Sequence, residues 1–138
     1  MASAKTRSIL LWSLAGLLAA MFLMSGSGKL ANGATQSGFA SWDAQFEDWG
    51  LPAWARIVVG LAEVAAAIGI LVPALRFYAA SGLTLLMVGG VGTHIANAEW
   101  AIAPVPLVLA ALAATLAWLR RPAWLDERLG RSASPDTA

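Results

Sequence analysis

Four apolar runs, each about as long as a bilayer's hydrocarbon core is thick, constrain this chain more than anything else in it. They lie at about 9–30, 54–72, 77–97 and 101–119. An α-helix rises about 1.5 Å per residue, so roughly 20 residues cross a ~30 Å core. Backbone in lipid must satisfy its own N–H and C=O groups, which leaves helices for runs of this length. The pattern predicts an all-α membrane protein, a four-transmembrane-helix bundle. Of the 138 residues, 59% are apolar and 12% charged, so the spans consume most of the chain. Residues 1–8 read as a cytoplasmic N-terminus, 9–121 as one membrane domain and 122–138 as a cytoplasmic tail, disordered after Gly130.

Local signals set the boundaries. Asn32-Gly33 closes the first run, Pro52 opens the second at a position where a missing N–H is harmless, and Pro73 stops it. Only Pro73 to Arg76 separates the second and third runs, so those spans are expected to be antiparallel neighbours. Pro104 and Pro106 fall near the start of the fourth. Lys5 and Arg7 ahead of the first run also mimic a secretory leader, and the run is read as an uncleaved helix. Lys5, Arg7, Arg76, Arg120, Arg121, Arg128 and Arg131 fall on one side of the spans, against Lys29 and Arg56 on the other. By the positive-inside rule both termini are cytoplasmic. Trp12, Trp54, Trp100 and Trp118 sit near span ends, where amphipathic rings anchor at the interface.

Between the first two spans, Phe39, Trp42, Phe46 and Trp49 recur at helical spacing among Ser41, Asp43, Gln45, Glu47 and Asp48. This predicts a short amphipathic helix. It is expected to lie in the membrane interface as an anchor; the alternative is a lid over the bundle.

Several classes of function are excluded. With no cysteine, the chain carries no disulfide, no thiol relay and no cysteine-ligated cluster. A net charge of +1, with the basic residues at helix ends, gives no nucleic-acid footprint. Soluble catalytic signatures are missing, and Gly26-Ser27-Gly28-Lys29 lacks the spacing of a phosphate-binding loop.

What remains is a set of polar residues that lipid tolerates poorly: Lys29, Arg56, Glu63 and His94. With alternating span directions, all four fall in the outer half of the bilayer. Glu63 lies deepest and needs a partner. Spacing does not choose the partner: Arg56, seven residues before it on the same helix, would need both long side chains to reach together, and Lys29 from the first span is the more natural one if those helices touch. Such a pair either fixes the register of the bundle or serves function. His94 follows Gly89, Gly90, Val91, Gly92 and Thr93, small residues that admit a neighbouring helix or a flat ligand close to the backbone. Its imidazole can donate to a carbonyl oxygen or pass a proton. No metal is expected, since only Glu63 and Glu99 could join it.

These residues resemble a known family. Phe22, Gly26, Lys29 and Leu30, then Trp49-Gly50-Leu51-Pro52, Gly60-Leu61-Ala62-Glu63, Gly69-Ile70-Leu71-Val72-Pro73 and a glycine-rich third span ending in His94 are similar in order and spacing to the DoxX family of bacterial membrane proteins, over about Leu14 to Arg120. The resemblance implies a four-span bundle in the inner (cytoplasmic) membrane, with Lys29, Glu63 and His94 on recurrent polar positions. It also implies a link to quinones, since some members are tied to thiosulfate:quinone oxidoreductase and others to oxidoreductase assemblies that manage oxidative and thiol stress. The expected function is a quinone-associated subunit or accessory factor of a membrane oxidoreductase, working with a membrane redox complex or as a homo-oligomer. The alternatives are a structural or assembly subunit and small-solute or ion transport.

Overall fold

A computed structural model describes residues 3–131. Six helices are present among them: α1 Ala4–Leu30, α2 Trp42–Asp48, α3 Ala53–Leu71, α4 Arg76–Ala96, α5 Pro104–Leu119 and α6 Ala123–Arg128. The chain is an all-α membrane bundle. α1, α3 and α4 each have the length and apolarity to cross a bilayer, while α5 is a shorter apolar helix of 16 residues, about 24 Å long by its rise.

One spacing explains how the long helices face each other. Buried positions on α1 include Leu11, Ala15, Leu18, Phe22 and Lys29; on α3, Arg56, Gly60, Glu63, Ala67 and Ile70; on α4, Arg76, Ala80, Leu83 and Met87; on α5, Pro106, Ala110, Ala113 and Ala117. Steps of four and three alternate, the heptad seam of near-parallel helix packing. Large apolar side chains such as Leu17, Met24, Leu61, Ile68, Leu85 and Val88 instead point outward. Lipid solvates those as well as a protein core would, so close packing of small residues holds the helices together.

α1 packs chiefly on α3, and α4 on α5; α3 meets α4 and α1 touches α5 to close the bundle. The tightest crossing is α1 on α3, where a Cβ added at Gly26 would come within 2.8 Å of the Gly60 carbonyl oxygen. A second close approach lies at the α3–α4 turn, where a Cβ at Gly69 would stand 2.9 Å from Ala79 Cβ.

Four boundaries differ from expectation, each for a local reason. α1 begins at Ala4, well before the apolar run, because Ser3 Oγ accepts from Thr6 N at 3.2 Å and caps it. α2 begins at Trp42, capped by Ser41, so Phe39 lies outside the helix in the preceding loop. The fourth long helix starts at Pro104 rather than 101, since neither Pro104 nor Pro106 can donate, and Ala101–Ala103 form turns instead. The segment after the last span contains α6, opened by Pro122; residues 132–138, which cover nearly all of the expected disorder, lie outside the described residues.

Candidate functional site

The polar residues gather at the end of the bundle where α1 finishes, α3 begins and α4 finishes, and α2 lies across that end. Two helix termini build the site. At α1, Asn32 takes a left-handed conformation (φ 56°), its N–H bonding Lys29 O while Gly33 N reaches back to Gly28 O. At α4, Ala98 does the same (φ 57°), its N–H bonding Ile95 O while Glu99 N bonds His94 O at 2.8 Å. Both are Schellman turns. Asparagine tolerates that backbone region; alanine is strained in it by about 1 kcal/mol. The strained turn folds Glu99 back over His94.

The first turn feeds a largely buried cluster of paired charges. Lys29 Nζ lies 3.1 Å from both carboxylate oxygens of Glu63 and 2.8 Å from Ser25 Oγ. Lys29 is 7% exposed and Glu63 1%. The ammonium also sits 4.2 Å from the centre of the Trp42 ring. Glu63 is thus paired with Lys29 and not with Arg56. Arg56 turns to other partners, donating from Nε to Asp43 Oδ1 at 2.6 Å and from Nη1 to the carbonyl oxygens of Lys29 and Leu30. Asp43 is held in turn by Asn32, whose Nδ2 donates to its Oδ2 at 2.7 Å and whose Oδ1 accepts from its backbone N–H at 2.8 Å. α1, α2 and α3 are tied at one knot.

The second turn feeds a separate group around His94. Its Nδ1 lies 2.6 Å from Glu99 Oε2, which also accepts from Trp49 Nε1 at 3.2 Å. The Trp49 and His94 rings meet edge to face at 5.2 Å. Gln45 donates from Nε2 to Ser37 Oγ at 2.8 Å and to Glu99 Oε1 at 3.3 Å; its Oε1 is buried with no partner. The His94 and Glu99 side chains keep 13% and 15% of their exposure, more than Lys29 and Glu63.

So Lys29, Arg56 and Glu63 come together, whereas His94 belongs to a neighbouring group and pairs with Glu99. α2 bridges the two, giving Trp42 and Asp43 to one and Gln45 to the other, with Trp49 just past its end. Its Phe46 and Gln45 are 3% and 1% exposed, so this face of the helix packs on the bundle. Phe39 is half-buried in the loop before it. Of the glycines before His94, Gly90 meets another helix, at Pro106, while nothing stands within 4 Å of a Cβ built at Gly89 or Gly92.

Asn32, Asp43, Gln45 and Glu99 complete the site, and none was picked out as a site residue from sequence. Glu99 lies five residues after His94, a spacing that a Schellman turn brings together, but Ala98 is not a residue that announces such a turn. Two grooves on the bundle surface lie elsewhere, one between α3 and α4 along Ala62, Ala66, Ala79 and Gly82, the other beside Phe77 and Trp118. Neither reaches Lys29, Glu63 or His94.

A helical bundle with charged residues on its inward seam and a polar lid over one end is a multi-pass membrane protein. A family model described as the DoxX-like family matches residues 13–116, nearly the stretch that carries the sequence resemblance, and the chain belongs to that family. No curated protein and no solved structure matches.

Proposed function

We propose that this chain is a quinone-associated membrane subunit of an oxidoreductase system, and that the corner formed by His94, Glu99, Trp49 and Gln45 is where a quinone head group docks. The carrying observation is the His94–Glu99 hydrogen bond at 2.6 Å beside the unpartnered Gln45 Oε1. A buried acceptor without a donor is unfavourable, and a hydroxyl brought beside it relieves the cost. A quinone carries two electrons and two protons and in its reduced form offers two O–H donors. The chain's own residues supply the rest. Gln45 accepts, the second ring nitrogen of His94 stays available to hydrogen-bond an oxygen, and Glu99 holds the imidazole in place. Trp49 supplies an aromatic face and, with α2, must shift to admit a ring. Electrons would come from a redox partner. In this reading Lys29 and Glu63 belong to the frame.

The orientation follows from charge. Both termini and the arginine-rich end face the cytoplasm, and the lidded end faces outward, in the inner membrane.

Titrating purified protein in nanodiscs with a short-chain quinone, read by tryptophan fluorescence, tests the docking. Saturable quenching is expected, weakened by about tenfold in His94→Ala, roughly the loss of one hydrogen bond. Non-saturable quenching, unchanged in that variant and with no quinone in lipid extracts, would sink it. A second reading, an assembly subunit without chemistry, draws support from the closed Lys29–Glu63 pair. On that reading Glu63→Gln lowers recovery of a partner complex while turnover per complex stays constant.

A further inference from the structure

Arg56 and Arg76 use one device at opposite ends of α3. Each stands near the start of a long helix and reaches back to the final carbonyl groups of the preceding long helix. Arg56 bonds Lys29 O and Leu30 O of α1, and Arg76 donates from Nε to Ile70 O of α3 at 2.6 Å. A helix C-terminus carries partial negative charge, so both guanidinium groups are well placed. They differ in what completes them. Arg56 meets the Asp43 carboxylate at 2.6 Å, whereas Arg76 has no ion pair among the described residues.

Arg76 is nevertheless 1% exposed, and its Nη2 is buried without a partner. The Trp12 ring covers the guanidinium, 4.1 Å from the ring centre to Cζ. Arg120, which ends α5 at the same end of the bundle, carries a charge of the same sign. Asp126, an acid at this end, is engaged by Arg121 at 2.6 Å. α4 itself starts with no side-chain cap and no acidic residue in its first turn. The partial charge of a helix end does not balance a full one, and a buried ion without a counter-ion is strongly unfavourable.

We propose that Arg76 and Arg120 form a binding site for a phosphate-bearing anion at the end of the bundle opposite the lid. The planar guanidinium fork matches phosphate oxygens, and its unused nitrogens are the donors such a group needs. Two sources share this chemistry, the phosphodiester of an anionic lipid in the adjoining leaflet and free phosphate. Trp12, 47% exposed, covers the guanidinium at the level where headgroups and acyl chains meet, and its ring must swing aside to admit a phosphate. The site stands apart from the quinone reading, since it uses none of the residues around His94.

The experiment is native mass spectrometry of the full chain in a maltoside detergent, with phosphatidylglycerol, inorganic phosphate or a phosphate-free galactolipid added. Phosphatidylglycerol should be retained in preference to the galactolipid. Its apparent affinity should fall about tenfold in Arg76→Gln and about threefold in Arg120→Gln, a change at an exposed position that leaves the fold intact, and Arg76→Lys should recover part of the loss. Retention of inorganic phosphate with the same dependence on Arg76, and no lipid preference, identifies a soluble anion as the occupant and supports the site equally. Equal retention of phosphatidylglycerol and galactolipid without phosphate binding, or affinities that ignore all three substitutions, would overturn it.

Discussion

Lys29 and Glu63 show what a charge inside a bilayer requires. Each is buried, and each satisfies the other through two hydrogen bonds of 3.1 Å. Removing one charge strands its partner. Glu63→Gln should therefore destabilise the bundle by about 3 kcal/mol, the usual cost of breaking a buried pair from one side. Lys29→Met combined with Glu63→Leu should be much less harmful than either change alone, because nothing charged is left behind. Unfolding in mixed micelles measures both; a double variant as unstable as the sum of the singles would refute the pairing. The existence of such a pair was legible, since the two residues fall at matching depths on adjacent spans. The company of His94 was not. Its partner Glu99 arrives through a left-handed turn at Ala98, a residue type that gives no warning of one.

Among the helices, contact between α1 and α3 depends on absent side chains. At Gly26 a methyl group would come within 2.8 Å of both the Gly60 carbonyl oxygen and Val64 Cγ2, and backbone cannot move aside cheaply. Gly26→Ala should cost about 1–3 kcal/mol through overpacking. Gly16, on the same helix with nothing within 4 Å, is the control: Gly16→Ala should be neutral or stabilise by about 0.5–1 kcal/mol through helix propensity. Melting curves of the two variants side by side decide it, and equal losses would mean that the crossing is not tight. The helices themselves were readable from their apolar runs. Which faces meet was hidden from a search for amphipathicity, because outward positions such as Leu61, Ile68 and Leu85 are as apolar as the seam. The four-three spacing of Arg56, Gly60, Glu63, Ala67 and Ile70 carried that information instead, in small and charged residues. The same spacing, continued from Arg76 through Ala80, Leu83 and Met87, placed an arginine on the seam that had been counted only as a topology signal.

For the whole molecule, the lack of native cysteine makes orientation directly measurable. Single cysteines at Gln36, exposed in the lidded end, and Glu127, exposed on α6, mark opposite faces. In right-side-out vesicles an impermeant maleimide should label Gln36→Cys at once and Glu127→Cys only after permeabilisation; the reverse pattern would invert the topology. The close approach at Gly26 and Gly60 bears finally on how the molecule is made. A lone ionisable side chain deep in a span raises the cost of partitioning from the translocon into lipid by about 2.5–3.5 kcal/mol. During synthesis α1 enters first, carrying Lys29 and the notch at Gly26, and Glu63 follows 34 residues later on a helix whose own notch fits it. α1 is thus in place to accept the carboxylate as it emerges, so the nascent chain can pair Glu63 before the later spans exist.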